Sequence, residues 1–148
     1  MIAEPAPSVV TAEHASFGHR VGAHVIDAGV PVLALLVIAR LLNRFHHSVV
    51  PIALAGLGVL VIAVFAVWNT LVRQGATGQS LGKWAMGIRL VGERSGAPVG
   101  VGRAFVRQLA HLLDALPLYV GYLWPLWDER RQTFADKACA TIVVRVEA

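Results

Sequence analysis

Charged side chains are scarce in this chain of 148 residues, because Asp, Glu, Lys and Arg together make up only 15% of it. Hydrophobic residues account for 56%, and the mean hydropathy is +0.63. A soluble domain of this length does not bury so much apolar surface, so the composition favours a membrane protein. Cys139 is the single cysteine, which excludes a disulfide framework or a thiolate metal cluster within one chain.

The basic residues are few, but they give the chain a net charge of +4. They lie in short segments between apolar runs, as they do in cytoplasmic loops under the positive-inside rule. Because no basic run is interleaved with aromatic residues, we expect no nucleic-acid partner. The six histidines are scattered, and the adjacent pair His46 and His47 would point about 100° apart on a helix. We therefore expect no metal site and no cofactor.

Apolar stretches divide the chain into three membrane segments. Residues 21–42 and 49–72 are each long enough for a span of about 20 residues. A third stretch, 103–127, is interrupted by Pro117 and Gly121, and it either spans once or folds back as a re-entrant hairpin. The predicted fold class is an all-α membrane protein with two clear transmembrane helices, a third broken or re-entrant membrane segment, and a small cytoplasmic loop and strand region.

The remaining segments complete the predicted organisation. Residues 1–15 are rich in Pro and Ala and predict a disordered N-terminal tail, with no cleavable signal peptide. The membrane domain then covers 16–146, with a glycine-rich cytoplasmic loop over 73–102. Short strands are predicted at 88–91 and 141–146, and their pairing would require the third segment to be re-entrant.

One pattern of ionisable residues occurs twice, at the start of the first apolar run and in the third. Its members are Arg20, His24 and Asp27 in the first copy and Arg107, His111 and Asp114 in the second. Positions i, i+4 and i+7 share a helix face, so each copy forms an Arg–His–Asp stripe. Such groups are costly in a membrane and need a partner or a wet cavity. They act either as polar contacts between helices or as part of an ion pathway.

We expect the two stripes to pack together as a parallel pseudo-repeat. Arg20 or Arg107 would then neutralise an Asp of the other stripe, with His24 and His111 between them. Such a cluster could carry a proton or bind a monovalent cation, because an Asp beside an Arg stays ionised and His titrates near neutral pH. A chain with so few spans does not enclose a pathway by itself. Transport would therefore require a homo-oligomer or other membrane subunits.

Catalytic motifs receive no support from their context. Gly78-Gln-Ser80-Leu-Gly82 matches the nucleophile-elbow pattern, but that elbow needs a preceding strand, and here a membrane helix precedes it. No nucleophile and base have a supporting arrangement. We therefore expect that the protein is not an enzyme.

Several short motifs together resemble one family. They are Arg20 before Asp27, the run Gly78-Gln-Ser-Leu-Gly82-Lys83, and Gln132-Thr-Phe-Ala-Asp136 with Thr141. The chain is similar in these motifs, from about Phe17 to Val144, to the RDD family of small membrane proteins, which is named after an arginine and two aspartates.

The resemblance implies that Arg20 and Asp27 are family positions and that the second aspartate is Asp114 or Asp136. It also implies transport of an unidentified ligand, which is suggested for the family, and some members are linked to sodium/proton exchange.

Two functions therefore remain open. The first is a proton- or cation-coupled transport component that uses the Arg/His/Asp cluster. The alternative is a structural or assembly protein whose buried polar residues hold helices or partner subunits together. In both cases we expect a multi-pass protein of the cell membrane with a cytoplasmic N-terminus and the lipid bilayer as its surroundings.

Overall fold

A computed structural model describes residues 13–44 and 49–146 of the protein. Two long antiparallel helices dominate it. Helix α1 covers Phe17–Arg44, and α2 covers Val49–Val67 and continues through a π-helical segment, Trp68–Arg73, into α3, Gln74–Thr77. Among the described residues these are the helices long and apolar enough to cross a membrane, over Phe17–Arg44 and Ile52–Thr77. Both helices that the sequence predicts as transmembrane spans are present, with the length and hydropathy that a span needs.

The second long helix extends further than the sequence pattern predicts. The loop expected over 73–102 begins only after Thr77, because α3 continues the helix for one more turn. The Thr77 hydroxyl helps to end it by donating to the Arg73 carbonyl at 2.8 Å, and Gly78 follows with φ +78°. Gly78 thus supplies the left-handed residue that commonly terminates a helix.

A small layer of mixed structure lies at the end of the helix pair that holds the start of α1. It contains α4 (Leu81–Ala85), β1 (Ile88–Gly92), α7 (Phe134–Ala138) and β2 (Thr141–Arg145), and we call these four elements the polar layer. Strands β1 and β2 pair antiparallel, with Ile88 opposite Arg145 and Gly92 opposite Thr141. Both predicted strands are present, and they pair with each other, which the sequence had left open.

Residues 13–15 correct the predicted tail, most of which (1–12) lies outside the described residues. Ala15 donates its backbone N–H to the Val143 carbonyl at 2.9 Å and is fully buried. The Arg145 N–H in turn donates to the Glu13 carbonyl at 2.8 Å. The segment therefore lies beside β2 and belongs to the folded domain, because its backbone polar groups are paired there.

The third apolar stretch is broken, as Pro117 predicts. Helix α5 covers Gly100–Ala115, the chain turns through Leu118 and Tyr119 with φ of 53° and 64°, and α6 (Val120–Leu123) leads into a 3₁₀ turn. None of these described pieces meets the length and hydropathy needed to span a bilayer. Leu118 at the turn is 89% exposed, so an apolar tip projects from the fold.

A small apolar core that includes Ile88, Leu90 and Val143 is buried, but much of the apolar surface is exposed, unlike that of a soluble domain. Leu33 in α1, Leu54 in α2 and Leu116 after α5 are each more than half exposed, whereas polar side chains are buried. The buried polar residues are Asn69, Gln74, Ser80, Arg107, Asp114, Gln132, Thr133, Asp136 and Thr141. An apolar exterior around a polar interior is the arrangement expected in lipid, where each polar group needs an internal partner.

Candidate functional site

Asp27 connects both long helices to α4. Its Oδ1 accepts hydrogen bonds from Asn69 Nδ2 and from the Gly82 backbone N–H, each at 2.8 Å, and its Oδ2 accepts from Ser80 Oγ at 2.5 Å. Asn69 lies in the π-helical segment, and its own Oδ1 accepts from the Leu81 N–H at 2.8 Å. A π-helical turn changes the direction in which the side chains along the helix point. Here the side-chain amide of Asn69, within this turn, is buried.

The start of α4 is held entirely by side chains. Ser80 is its N-cap and accepts from the Lys83 N–H, so Asn69, Asp27 and Ser80 satisfy the first amides of the helix. These amides otherwise lack partners within a helix. A side-chain carbon added at Gly82 would lie 2.0 Å from the Ala23 carbonyl oxygen, so only glycine allows α4 to approach α1 this closely.

Asp136 is the most heavily paired carboxylate of the polar layer and is fully buried. Its Oδ2 lies 2.6 Å from Arg20 Nη1, and its Oδ1 lies 2.9 and 2.8 Å from Arg107 Nε and Nη2. Thr133 and Asp136 form a capping box at the start of α7, and Thr141 Oγ1 donates to Asp136 Oδ1 at 3.2 Å. One carboxylate thereby joins α1, α5, α7 and β2.

Electrostatics keeps Asp136 ionised. Burial alone would raise the pKa of this carboxyl, but the guanidinium groups of Arg107 and Arg20 hold it well below its usual range. The ion pair with Arg20 and Arg107 is therefore fully charged at neutral pH. Removing one partner from a buried pair of this kind leaves an uncompensated charge.

Asp114 also binds the start of α7. Its Oδ1 accepts from the backbone N–H groups of Phe134 and Ala135 at 2.8 and 3.2 Å, and its Oδ2 lies 2.7 Å from His111 Nδ1. A carboxylate at a helix N-terminus is favoured both by hydrogen bonding and by the helix dipole. Asp114 thus fixes α7 against α5.

Lys83 is half-buried, and the charges of both Asp27 and Asp136 act on it. Its Nζ donates to Gln74 Oε1 at 2.6 Å. Burial, and after it the charge of Arg107, lower the pKa of Lys83 to about 8, although the two carboxylates oppose the shift. Lys83 is therefore the group of this layer whose charge changes closest to physiological pH.

The predicted pairing of the two stripes is wrong. Arg20 and Arg107 both bind Asp136, and neither contacts Asp27 or Asp114 through an ion pair. Asp27 and Asp114 instead accept from amides, a hydroxyl and His111, because short helices are packed where the stripes were expected to meet. The expectation that His24 lies between them is also wrong, since His24 is exposed on α1 and forms no hydrogen bond with the described residues.

Sequence reasoning missed Asn69 and Gln74, and it included Ser80, Thr133 and Thr141 in the family motifs without assigning them a role in the site. Asn69 had a usable signal, because it is a lone amide near the end of a charge-free apolar run. Thr133 and Asp136 also match the capping-box spacing that marks a helix start. Gln132 was predicted as a family position, and its side-chain amide donates to the Thr141 carbonyl at 2.9 Å, which anchors β2.

Comparison with known proteins decides the family. Residues 14–140 match the sequence profile of the RDD family. The chain belongs to the RDD family. The resemblance of its motifs to RDD proteins is therefore confirmed, and the match includes α4, β1 and α7 of the polar layer but ends before β2.

Curated relatives of this RDD chain are known from mycobacteria. The "Proline-rich antigen" of Mycobacterium leprae (strain TN) is 46% identical over 87 residues, which cover 59% of this chain and 35% of that protein. The "Proline-rich antigen homolog" of Mycobacterium tuberculosis (strain ATCC 25618 / H37Rv) is 48% identical over 82 residues, or 55% of this chain and 34% of the relative. The matches thus cover about a third of those proteins' length. No solved structure matches the chain significantly.

The two candidates for the second RDD aspartate differ in their partners. Asp136 pairs directly with Arg20, whereas Asp114 binds His111 and the start of α7. Both are buried. The geometry therefore links the family arginine to Asp136.

Proposed function

We propose that this RDD protein is a multi-pass membrane component with a structural or assembly role, in which buried carboxylates hold the polar layer against two membrane helices. The proposal includes no catalytic step. The observation that carries it is the saturation of the carboxylates: Asp27 accepts three hydrogen bonds, and Asp136 joins two arginines and two threonines.

Saturated carboxylates are poor ligands for a moving ion. A monovalent cation at Asp27 would have to displace the Asn69 amide, the Ser80 hydroxyl or the Gly82 N–H, each of which supports α4. Buried carboxylates whose oxygens are all paired instead make the packing around them rigid and specific. In this proposal the stripes are therefore contacts between helices, and the exposed apolar faces of α1 and α2 meet lipid, copies of this chain or other membrane subunits.

The topology we propose follows from the sheet and the charges. Because β1 and β2 pair, the chain between them must leave and return on one side of the membrane, which supports a re-entrant or interfacial position for α5 and α6. All lysines and arginines except Arg40 and Arg44 belong to the end of the molecule that holds the polar layer. The positive-inside rule therefore supports a cytoplasmic polar layer and N-terminus at the cell membrane.

A combined flux and stability experiment tests the proposal. The purified protein is reconstituted in vesicles with an internal pH dye, and Na⁺, K⁺ and Li⁺ are added in turn. We expect no cation-driven proton flux from the natural protein, whereas Asp27→Asn lowers the unfolding temperature in detergent. Glu93→Gln, which removes a more exposed ion-pair partner of Arg130, serves as the matched control. Flux that vanishes in Asp27→Asn while the unfolding temperature stays unchanged would contradict the proposal.

Proton-coupled transport is the second candidate, and Lys83 favours it. A half-buried amine with a pKa of about 8 changes charge near neutral pH, and it lies within electrostatic reach of Asp27 and Asp136. Transport by this route would need a homo-oligomer or partner subunits to enclose a pathway. In the same vesicles it requires proton flux that Lys83→Met abolishes and that Lys137→Met, at an exposed position, leaves intact.

A further inference from the structure

Arg20 uses only part of its hydrogen-bonding capacity. Its Nη1 binds Asp136, but its Nε and Nη2 atoms are buried and have no hydrogen-bond partner among the described residues. A buried donor without a partner is energetically costly, and more so when it carries charge. The side chain as a whole keeps 12% of its surface exposed, so it is not sealed inside the protein.

The two unpaired atoms form one chemical unit. The Nε–H and Nη2–H bonds of a guanidinium lie on the same edge of the planar group and point in nearly parallel directions. That edge matches two oxygens of a phosphate or carboxylate group, which arginine binds in a bidentate manner. Arg107 already binds Asp136 through this edge, at 2.9 and 2.8 Å. The equivalent edge of Arg20 is left for another oxyanion.

The surrounding charge also favours an anion. The single negative charge of Asp136 is shared by Arg20 and Arg107. Arg131 is exposed, acts electrostatically on Arg20, and has no side-chain partner in the part of the chain that the structure describes. Burial first, and then the charges of Arg20, Arg130 and Arg131, lower the pKa of His14. Arg20, Arg107 and Arg131 therefore carry more positive charge than Asp136 balances.

The position of Arg20 in the fold limits the possible sources of the anion. Arg20 lies in the first turn of α1, where this membrane helix leaves the polar layer. We propose that Arg20 and Arg131 form a binding site for a phosphate-type oxyanion, with Arg20 Nε and Nη2 as the bidentate donors. The phosphate is either that of a lipid headgroup at the membrane surface or a free phosphate in solution.

Binding measurements on the full chain in detergent test the site. The protein is titrated with inorganic phosphate in one arm and with dioctanoyl phosphatidic acid in the other, with chloride at equal ionic strength as the reference. We expect saturable binding in at least one arm, weakened about tenfold or more by Arg20→Lys, because lysine keeps a cation for Asp136 but lacks the bidentate edge. Arg94→Lys, at an exposed turn position, is the control and should bind like the natural protein.

Each outcome has a defined meaning. Binding of both compounds supports a site for free phosphate, and binding of the lipid alone supports a headgroup site. Absence of binding in both arms overturns the proposal, as does an affinity of Arg20→Lys equal to that of the natural protein. Either result means that Arg20 Nε and Nη2 donate to water. If Arg20→Lys does not fold, Arg131→Gln replaces it, because it leaves the Arg20–Asp136 pair intact. Affinity that is unchanged in Arg131→Gln overturns the proposal as well.

Discussion

Arg20 Nη1 lies 2.6 Å from Asp136 Oδ2, across a separation of 116 residues in the sequence. This contact joins the start of the first membrane helix to a short helix near the end of the chain. Arg107 binds the other oxygen of the same carboxylate and adds α5 to the junction. Three distant segments are thereby held by one buried negative charge, which makes Asp136 the residue whose loss should disturb the fold most.

Asp136→Asn should destabilise the protein by about 3–5 kcal/mol, because two buried arginines lose their counter-charge. Equilibrium unfolding in detergent at neutral pH measures the loss. Since the pKa of Asp136 is lower in the folded than in the unfolded state, its contribution is complete above the ordinary Asp range and is lost as the pH falls below it. The difference between the natural protein and the variant should therefore shrink in acid.

Glu93→Gln is the control for that experiment. It removes the carboxylate that pairs with Arg130, whose side chain is 60% exposed, so the expected loss is within about 1 kcal/mol. If Asp136→Asn were no more harmful than Glu93→Gln, the central ion pair would contribute little to stability.

Gly82→Ala should destabilise the protein by about 1–3 kcal/mol or prevent folding, because the added carbon meets the Ala23 carbonyl oxygen at 2.0 Å and Asp27 Cγ at 2.9 Å. The clash forces α4 away from α1. Gly102→Ala in α5 is the matched control, because its added carbon meets none of the described residues within 4 Å and alanine favours a helix. In thermal unfolding, Gly82→Ala should have a clearly lower unfolding temperature than Gly102→Ala. Equal unfolding temperatures would contradict the close approach of α4 to α1.

The stability of the protein should rise between about pH 8 and pH 10.5 through Lys83. The folded chain releases this proton near pH 8, whereas the unfolded chain holds it up to about pH 10.5, so the unfolded state binds more protons in this window. Unfolding measured from pH 7.5 to 10.5 should show a smaller rise in Lys83→Met than in the natural protein. Lys137→Met, at an exposed position, should keep the natural slope. Parallel slopes for the natural protein and Lys83→Met would exclude the lowered pKa.

Local patterns were enough to predict the helices and strands. The charge-free run within 49–72 predicted a helix that is long and apolar enough to cross a membrane, and Pro117 predicted the break in the third segment. The strands near 88–91 and 141–146 were also predicted, whereas their pairing was left open by the sequence. The boundaries differ where side chains decide them: Thr77 and Gly78 set the end of the second long helix, and backbone pairing to β2 brings residues 13–15 into the fold.

The partners of the polar residues were beyond the reach of sequence patterns. Helical spacing correctly placed Arg20 and Asp27 on one side of α1, but spacing along one helix does not reveal which distant element packs there. The binding of Arg20 to Asp136, and the capping of α4 by Asp27, depend on the three-dimensional arrangement of short segments whose sequences are weak signals. The same limit applies to His24, which shares a side of α1 with Arg20 and Asp27 but is exposed.

Hydrogen exchange of the α4 amides tests the structural role of the carboxylates most directly. In the natural protein Asp27, Asn69 and Ser80 satisfy the first amides of α4. In Asp27→Asn the account predicts at least about tenfold faster exchange over residues 80–86, while α7 over 134–138 stays protected, because exchange follows local opening. Unchanged protection over residues 80–86 in a folded Asp27→Asn variant would contradict the claim that Asp27 holds the polar layer to the membrane helices.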